Sequence, residues 1–68
     1  MSSGTERADD IRAAVLAALA RGARGVEEVR ASVRDHVGRV SAVEFDMALF
    51  GLERDGRVAW DASLLRLR

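Results

Sequence analysis

Acid–base chemistry needs carboxylates or histidines that converge, and this chain places four carboxylates along one predicted helix and has a single histidine. The acids are Glu44, Asp46, Glu53 and Asp55, and the histidine is His36. At about 100° per residue the four acids lie along the flanks of their helix and do not meet His36 on one side. No serine or cysteine stands in a recognisable nucleophile setting. We therefore expect no catalytic activity.

The sequence also gives no support to a metal or cofactor site. The chain lacks cysteine, so His36 has no partner for a common zinc site and is expected to be a solvated surface residue. The segment Gly22-Ala23-Arg24-Gly25 lacks the spacing, lysine and hydroxyl residue of a phosphate-binding loop, and it predicts a helix stop and a tight turn. We expect no metal, no cofactor and no small-molecule substrate.

Length and composition favour one small domain. At 68 residues the chain is near the lower limit for a self-supporting core, and without cysteine it has no disulfide. Met1-Ser2-Ser3-Gly4 does not resemble a secretory signal, and no segment is apolar enough to span a bilayer. These features predict a cytoplasmic protein with no membrane association.

Charge is unevenly distributed along a chain of zero net charge. Residues 41–56 carry −3, from four carboxylates against one arginine, whereas residues 57–68 carry +2. A nucleic-acid binder usually concentrates positive charge where it meets phosphate. The most acidic segment here is the central helix.

That central helix has both ends specified by its sequence. Ser41 can cap the first turn while Glu44 reaches back to the Ser41 amide, and Gly56 supplies a left-handed stop. One face is a core stripe at helical spacing, made of Phe45, Ala48, Leu49 and Leu52.

The opposite face of this helix carries a second apolar line. It consists of Val43, Met47 and Phe50, with Arg54 at its end. An apolar line between charged flanks is typical of an interface core with a polar rim. The alternative is that the N-terminal tail or the C-terminal segment covers these side chains, because small domains bury what they can.

A first helix is predicted to begin between Thr5 and Asp9 and to end by Arg21-Gly22, with residues 1–7 a flexible tail and residues 8–68 the domain. Its core face comprises Ile11, Ala14, Val15, Ala18 and Leu19. Its reverse side is lined by alanines and Leu16. Those alanines reflect helix propensity alone or form a close-packed partner surface, which makes Leu16 a second candidate interface residue.

A second helix is predicted from Val26, and it ends at Gly38. Its inward line is Val26, Val29, Val33 and Val37. The break before it, near Ala23-Arg24, is long enough for one short edge strand.

After Gly56 the apolar period changes to two, which predicts a β-hairpin with Asp61-Ala62-Ser63 as its turn. Val58 and Trp60 share one side of the first strand, and Leu65 and Leu67 share one side of the second. Trp60 is predicted to fill the core at the base of the hairpin.

This order of elements resembles a winged helix-turn-helix domain. Leu49-Phe50-Gly51-Leu52-Glu53-Arg54-Asp55-Gly56-Arg57-Val58 is similar to the segment in which the third helix of such domains runs into the wing, and Val26-Glu27-Glu28-Val29 looks like the opening of their second helix. The resemblance covers about residues 8–68. It implies an α+β fold: a three-helix bundle with a C-terminal hairpin wing.

In that family the third helix enters the DNA major groove, while the wing and turn hold phosphates. By position, the reading residues are Val43, Glu44, Asp46, Met47 and Phe50, which include none of the side chains that make most base-edge contacts.

Two functions therefore compete. The first is a non-catalytic module that binds protein, as a homodimer or with another chain, through the outer face of its third helix. The second is a DNA-binding transcriptional regulator whose phosphate contacts come from turn and wing arginines, namely Arg34, Arg39, Arg57, Arg66 and Arg68.

Overall fold

The computed structural model describes residues 3–68, with side chains from Arg7 onward. Three helices are followed by two strands: α1 (Ser3–Ala20), α2 (Val26–Val37), α3 (Ala42–Arg54), β1 (Val58–Asp61) and β2 (Leu64–Leu67). The two strands pair antiparallel. The α+β fold class expected from the sequence is confirmed, and the arrangement is consistent with a winged-helix-like fold.

Helix α1 begins at Ser3, before the predicted start between Thr5 and Asp9, so much of the segment assigned to a tail is helical. Met1 and Ser2 lie outside the described residues. The two capping candidates, Thr5 and Asp9, therefore lie within the helix. The Arg7 side chain binds Glu44 and the carbonyl oxygen of Arg39, which joins this part of α1 to α3. The far end of α1 is as predicted.

Every core residue is one that helical or strand periodicity predicted to face inward, but Val26 and Val37, which were predicted to do the same, are only partly buried. Ile11 and Val15 of α1, Val29 and Val33 of α2, and Phe45 of α3 are completely or almost completely inaccessible to solvent. The remaining buried residues are Ala14, Ala18, Leu19, Ala48, Leu49, Leu52, Val58 and Leu65. Because every element contributes to this one centre, each element's outward face is fixed by what it buries.

The prediction for Trp60 is wrong. The register pairs Trp60 with Leu65 and Val58 with Leu67, so all four residues share the face directed at the core, as alternation indicated. Leu65 and Val58 are buried, but Trp60 is 42% exposed. Leu67, on the same face, is also 42% exposed, so only the diagonal pair Val58 and Leu65 reaches the core, where β1 contacts α3 and β2 contacts α1.

The short third strand for which the sequence left room near Ala23-Arg24 is reduced to one bridge. Gly25 forms an isolated antiparallel bridge with Leu64, and the Leu65 amide donates to the Arg24 carbonyl at 2.9 Å. These contacts attach the α1–α2 connection to the hairpin, and the sheet itself has two strands.

Candidate functional site

Helix α3 is capped at both ends as the sequence predicts. The Ser41 hydroxyl accepts a hydrogen bond from the Glu44 amide at 3.1 Å, and the Glu44 carboxylate accepts one from the Ser41 amide at 3.0 Å. At the other end Gly56 has a φ of 74°, and the Arg57 amide donates to the Leu52 carbonyl at 2.9 Å. Capping and the buried stripe together fix which side of α3 faces outward.

The outward side is apolar. Val43 is 71% exposed, Met47 is 67% exposed and Phe50 is 63% exposed, and Arg54 is exposed at the end of the same line. We call these four residues the α3 outer face. Within residues 7–68, no side chain of α1 or of the hairpin covers them. This uncovered line is the candidate surface of the domain.

A groove between α1 and α3 adjoins the α3 outer face. Its volume is about 260 Å³, and it is lined by Ala8, Ile11, Arg12, Val43, Glu44, Met47 and Ala48. Small-molecule pockets usually measure about 300–1,000 Å³, so this groove suits one bulky side chain better than a whole ligand. Sequence reasoning did not find it, although Ala8 and Ile11 continue the helical spacing of the α1 core face.

Charged pairs occupy the flank of the α3 outer face next to α1. The Arg7 guanidinium lies 2.5 Å from the Glu44 carboxylate and also binds the Arg39 carbonyl. Hydrogen bonds from Arg7 and from the Ser41 amide lower the pKa of Glu44 from 4.5 to about 2, and the same pair raises the pKa of Arg7. Arg12 pairs with Asp9 at 2.5 Å. These carboxylates are therefore neutralised locally.

The other flank carries carboxylates without such partners. Asp46 and Glu53 are exposed, and neither forms an ion pair with any side chain in residues 7–68. They are seven residues apart, about two helical turns, which places both on the same edge of the apolar line. The negative charge of α3 that is open to a partner is therefore concentrated on this edge.

The arginines of the DNA-binding alternative fall into two groups. Arg57, Arg66 and Arg68 lie on the side of the hairpin away from the core, with Arg66 opposite Ala59 and the Arg68 amide donating to the Arg57 carbonyl at 3.1 Å. Leu64 and the exposed Asp61 opposite it share this side, and we call Arg57, Leu64, Arg66 and Arg68 the hairpin outer face. Arg34 in the last turn of α2 and Arg39 in the following link are both exposed.

The second interface candidate, Leu16 on α1, is half-buried and packs against the core, so less of it is open to a partner than of the three apolar residues on the α3 outer face. The exposed alanines beside it, Ala13 and Ala17, instead line a wide groove of about 670 Å³ together with Arg7, Asp10 and His36. His36 is exposed, as expected, and its Nδ1 lies 3.3 Å from the Ser32 carbonyl oxygen.

Within the described part of the chain, no three metal-ligating side chains lie close enough to hold a metal ion. No helix in residues 3–68 is both long and apolar enough to cross a bilayer. In comparisons with known proteins, no family model, no curated protein and no solved structure matches this chain.

Proposed function

We propose that this domain is a non-catalytic winged-helix interaction module that binds protein through the α3 outer face. The observation that carries this proposal is the exposure of Val43, Met47 and Phe50 on one side of a helix whose opposite side and both ends are fixed. A rigid, preformed apolar line loses little conformational entropy when a partner covers it.

Each side chain of such a line can contribute measurably to binding. Full burial of one large apolar side chain contributes about 1.5–3 kcal/mol, and aromatic and methionine side chains are enriched at interface centres. Phe50 and Met47 are the expected anchors, with Val43 and Arg54 at the two ends of the contact. A factor of ten in affinity corresponds to about 1.4 kcal/mol, so losing one anchor should be easy to measure.

DNA binding through arginines outside α3 is the second candidate function. The clustering of Arg57, Arg66 and Arg68 on the hairpin outer face favours it, because three guanidinium groups can each hold a phosphate. The surface of α3 argues against it. Asp46 and Glu53 would repel the phosphates that flank a major groove, and the apolar line offers no donors for base edges.

Site-specific photo-crosslinking tests the first function. A benzophenone amino acid is placed at Met47, and the matched control carries it at Glu27, an exposed position on α2. In cells of the source organism we expect a discrete protein adduct from the Met47 position, absent from the control and lost when Phe50→Asp is added. Equal adducts at both positions, an adduct insensitive to Phe50→Asp, or no adduct would overturn the proposal.

Fluorescence anisotropy with a duplex oligonucleotide tests the second function. Affinity that falls steeply between low and moderate salt and is reduced by Arg39→Ala and Arg66→Ala would favour DNA binding, because phosphate contacts release counterions. We expect no salt-sensitive binding of the native domain at moderate salt. Phe50→Asp should leave this readout unchanged.

A further inference from the structure

We propose that the partner of the α3 outer face is an amphipathic helix of a different chain, with arginine or lysine residues flanking its apolar stripe. This inference rests on the proposed function and adds the chemistry of the partner. Two observations carry it: the spacing of the apolar line and the sign of the charge beside it.

The spacing of the line is compatible with a helix as the occupant. Val43, Met47, Phe50 and Arg54 are separated by four, three and four residues, which is the repeat of a helix that packs against another helix at a shallow crossing angle. Both helices in such a pair present side chains that fit between those of the other. The adjoining groove between α1 and α3 can receive one bulky apolar side chain of the partner.

The charges disfavour a second copy of α3 in either direction. In an antiparallel pair the acidic edge of one copy would face the acidic edge of the other. Asp46 of each copy would then lie beside Glu53 of the other copy. In a parallel pair the two Arg54 side chains would face each other. Like charges across an interface cost binding energy and select against that pairing.

The same charges select a basic partner. Asp46 and Glu53 are exposed and have no ion-pair partner in residues 7–68, so both are free to bind cationic side chains from outside. Residues 41–56 have a net charge of −3. Arginine or lysine on the facing edge of the partner helix would complement this edge and favour one orientation.

A second copy could offer three of its arginines through its hairpin outer face. That face has Arg57, Arg66 and Arg68, but Leu64 is its one large apolar residue, so it lacks an apolar line to match α3. A head-to-tail contact of this kind would also leave further surfaces open and would extend into a chain unless it closed. A separate helix satisfies both requirements.

The test is a selection from a displayed library of helical peptides. Positions on the stripe are varied among apolar residues, and flanking positions are varied among aspartate, glutamate, glutamine, lysine and arginine. We expect recovered peptides to be enriched in arginine and lysine at the flanks and to bind the native domain at least tenfold more tightly than Phe50→Asp. The Asp46→Arg and Glu53→Arg double variant should shift the enrichment to acidic flanks.

A matched control has the same change of net charge elsewhere. Glu27→Arg with Asp35→Arg places two arginines at exposed positions on α2 and should preserve the preference for basic flanks. Sedimentation velocity over a wide concentration range completes the experiment. We do not expect the native domain to self-associate through a contact that Phe50→Asp abolishes.

The outcomes separate the two proposals. Peptides without basic enrichment, or an enrichment unchanged in the Asp46→Arg and Glu53→Arg variant, would overturn the partner chemistry and leave protein binding by α3 intact. Self-association abolished by Phe50→Asp would do the same, since a second copy would then be the partner. Peptides that bind Phe50→Asp as tightly as the native domain, or the recovery of no binder, would overturn both.

Discussion

The two outward surfaces of this domain differ in chemistry although both are built over the same core. The α3 outer face is an apolar line with free carboxylates on one edge, whereas the hairpin outer face carries three arginines around a single leucine. Each lies opposite a fully buried residue of its own element: Phe45 in α3 and Leu65 in β2.

This difference shows that the scaffold does not determine the ligand. A domain that lays α3 in the major groove and its hairpin on the backbone needs positive charge on both surfaces. Here only the hairpin has it, and α3 has the composition of an interface core. Function therefore has to be argued from each surface separately, because the shared fold supports several roles.

The sharpest test of the comparison uses the two phenylalanines of α3. Phe45 is fully buried, so Phe45→Ala should lower the free energy of unfolding by about 3–5 kcal/mol through lost burial and the cavity left behind. Phe50→Ala should lower it by about 1 kcal/mol or less, because that ring is already mostly in water. Urea denaturation followed by circular dichroism measures both.

A large loss of stability on Phe50→Ala would break the comparison, because it would mean that this side chain supports the fold. Phe45 has one further contact to lose: the Arg30 guanidinium lies over its ring, 5.2 Å from the centroid. Arg30→Met, which keeps an apolar stem, separates this cation–π contribution from burial of the ring.

The hairpin allows the same test with neighbouring leucines. Leu65 is fully buried, and Leu65→Ala should lower the free energy of unfolding by about 2–5 kcal/mol. Leu64 is nearly half exposed, and Leu64→Ala should lower it by about 1 kcal/mol or less. Thermal or urea unfolding measures the pair. Equal losses would mean that the hairpin packs through both sides and has no free outer face.

The smallest expected effect concerns the edge of α3 on which Glu44 pairs with Arg7. Because the pKa of Glu44 is lowered from 4.5 to about 2, the unfolded chain binds the proton more readily than the folded one. The stabilisation is therefore present above pH 4.5 and is lost as pH falls toward 2. We expect Glu44→Gln to lose less stability than the native domain across this interval in acid titrations followed by circular dichroism.

The matched control is Glu53→Gln on the unpaired edge, which leaves the contact between Arg7 and Glu44 in place. It should retain the native loss of stability between pH 4.5 and pH 2. If Glu44→Gln and the native domain respond to acid identically, the two edges of α3 do not differ in the way the structure indicates.

Much of the fold could be predicted because its signals are local. The caps at Ser41 and Gly56, the buried stripes of the three helices and the alternation in the hairpin each depend on residues a few positions apart. Trp60 was mispredicted because alternation gives the face of a strand but not which residues of that face meet another element. The start of α1 was placed late because the two capping candidates, Thr5 and Asp9, lie within the helix.

For the candidate surface, too, some features follow from local spacing and others only from the folded structure. Helical spacing alone placed Val43, Met47 and Phe50 on one side of α3, and the covalent geometry of a helix makes that placement independent of the rest of the chain. Spacing also placed Leu16 with the exposed alanines of α1. The structure places Leu16 half-buried against the core, which helical spacing alone did not indicate.

The sequence by itself determined the order of elements, their inward faces and the sign of charge along each segment, since these follow from backbone periodicity and residue type. Only the tertiary structure decided which faces remain uncovered, which carboxylates are paired and where a groove opens between α1 and α3. The physical reason is that a side chain's exposure and ion pairing depend on neighbours brought together by folding, and those neighbours have no fixed distance along the chain.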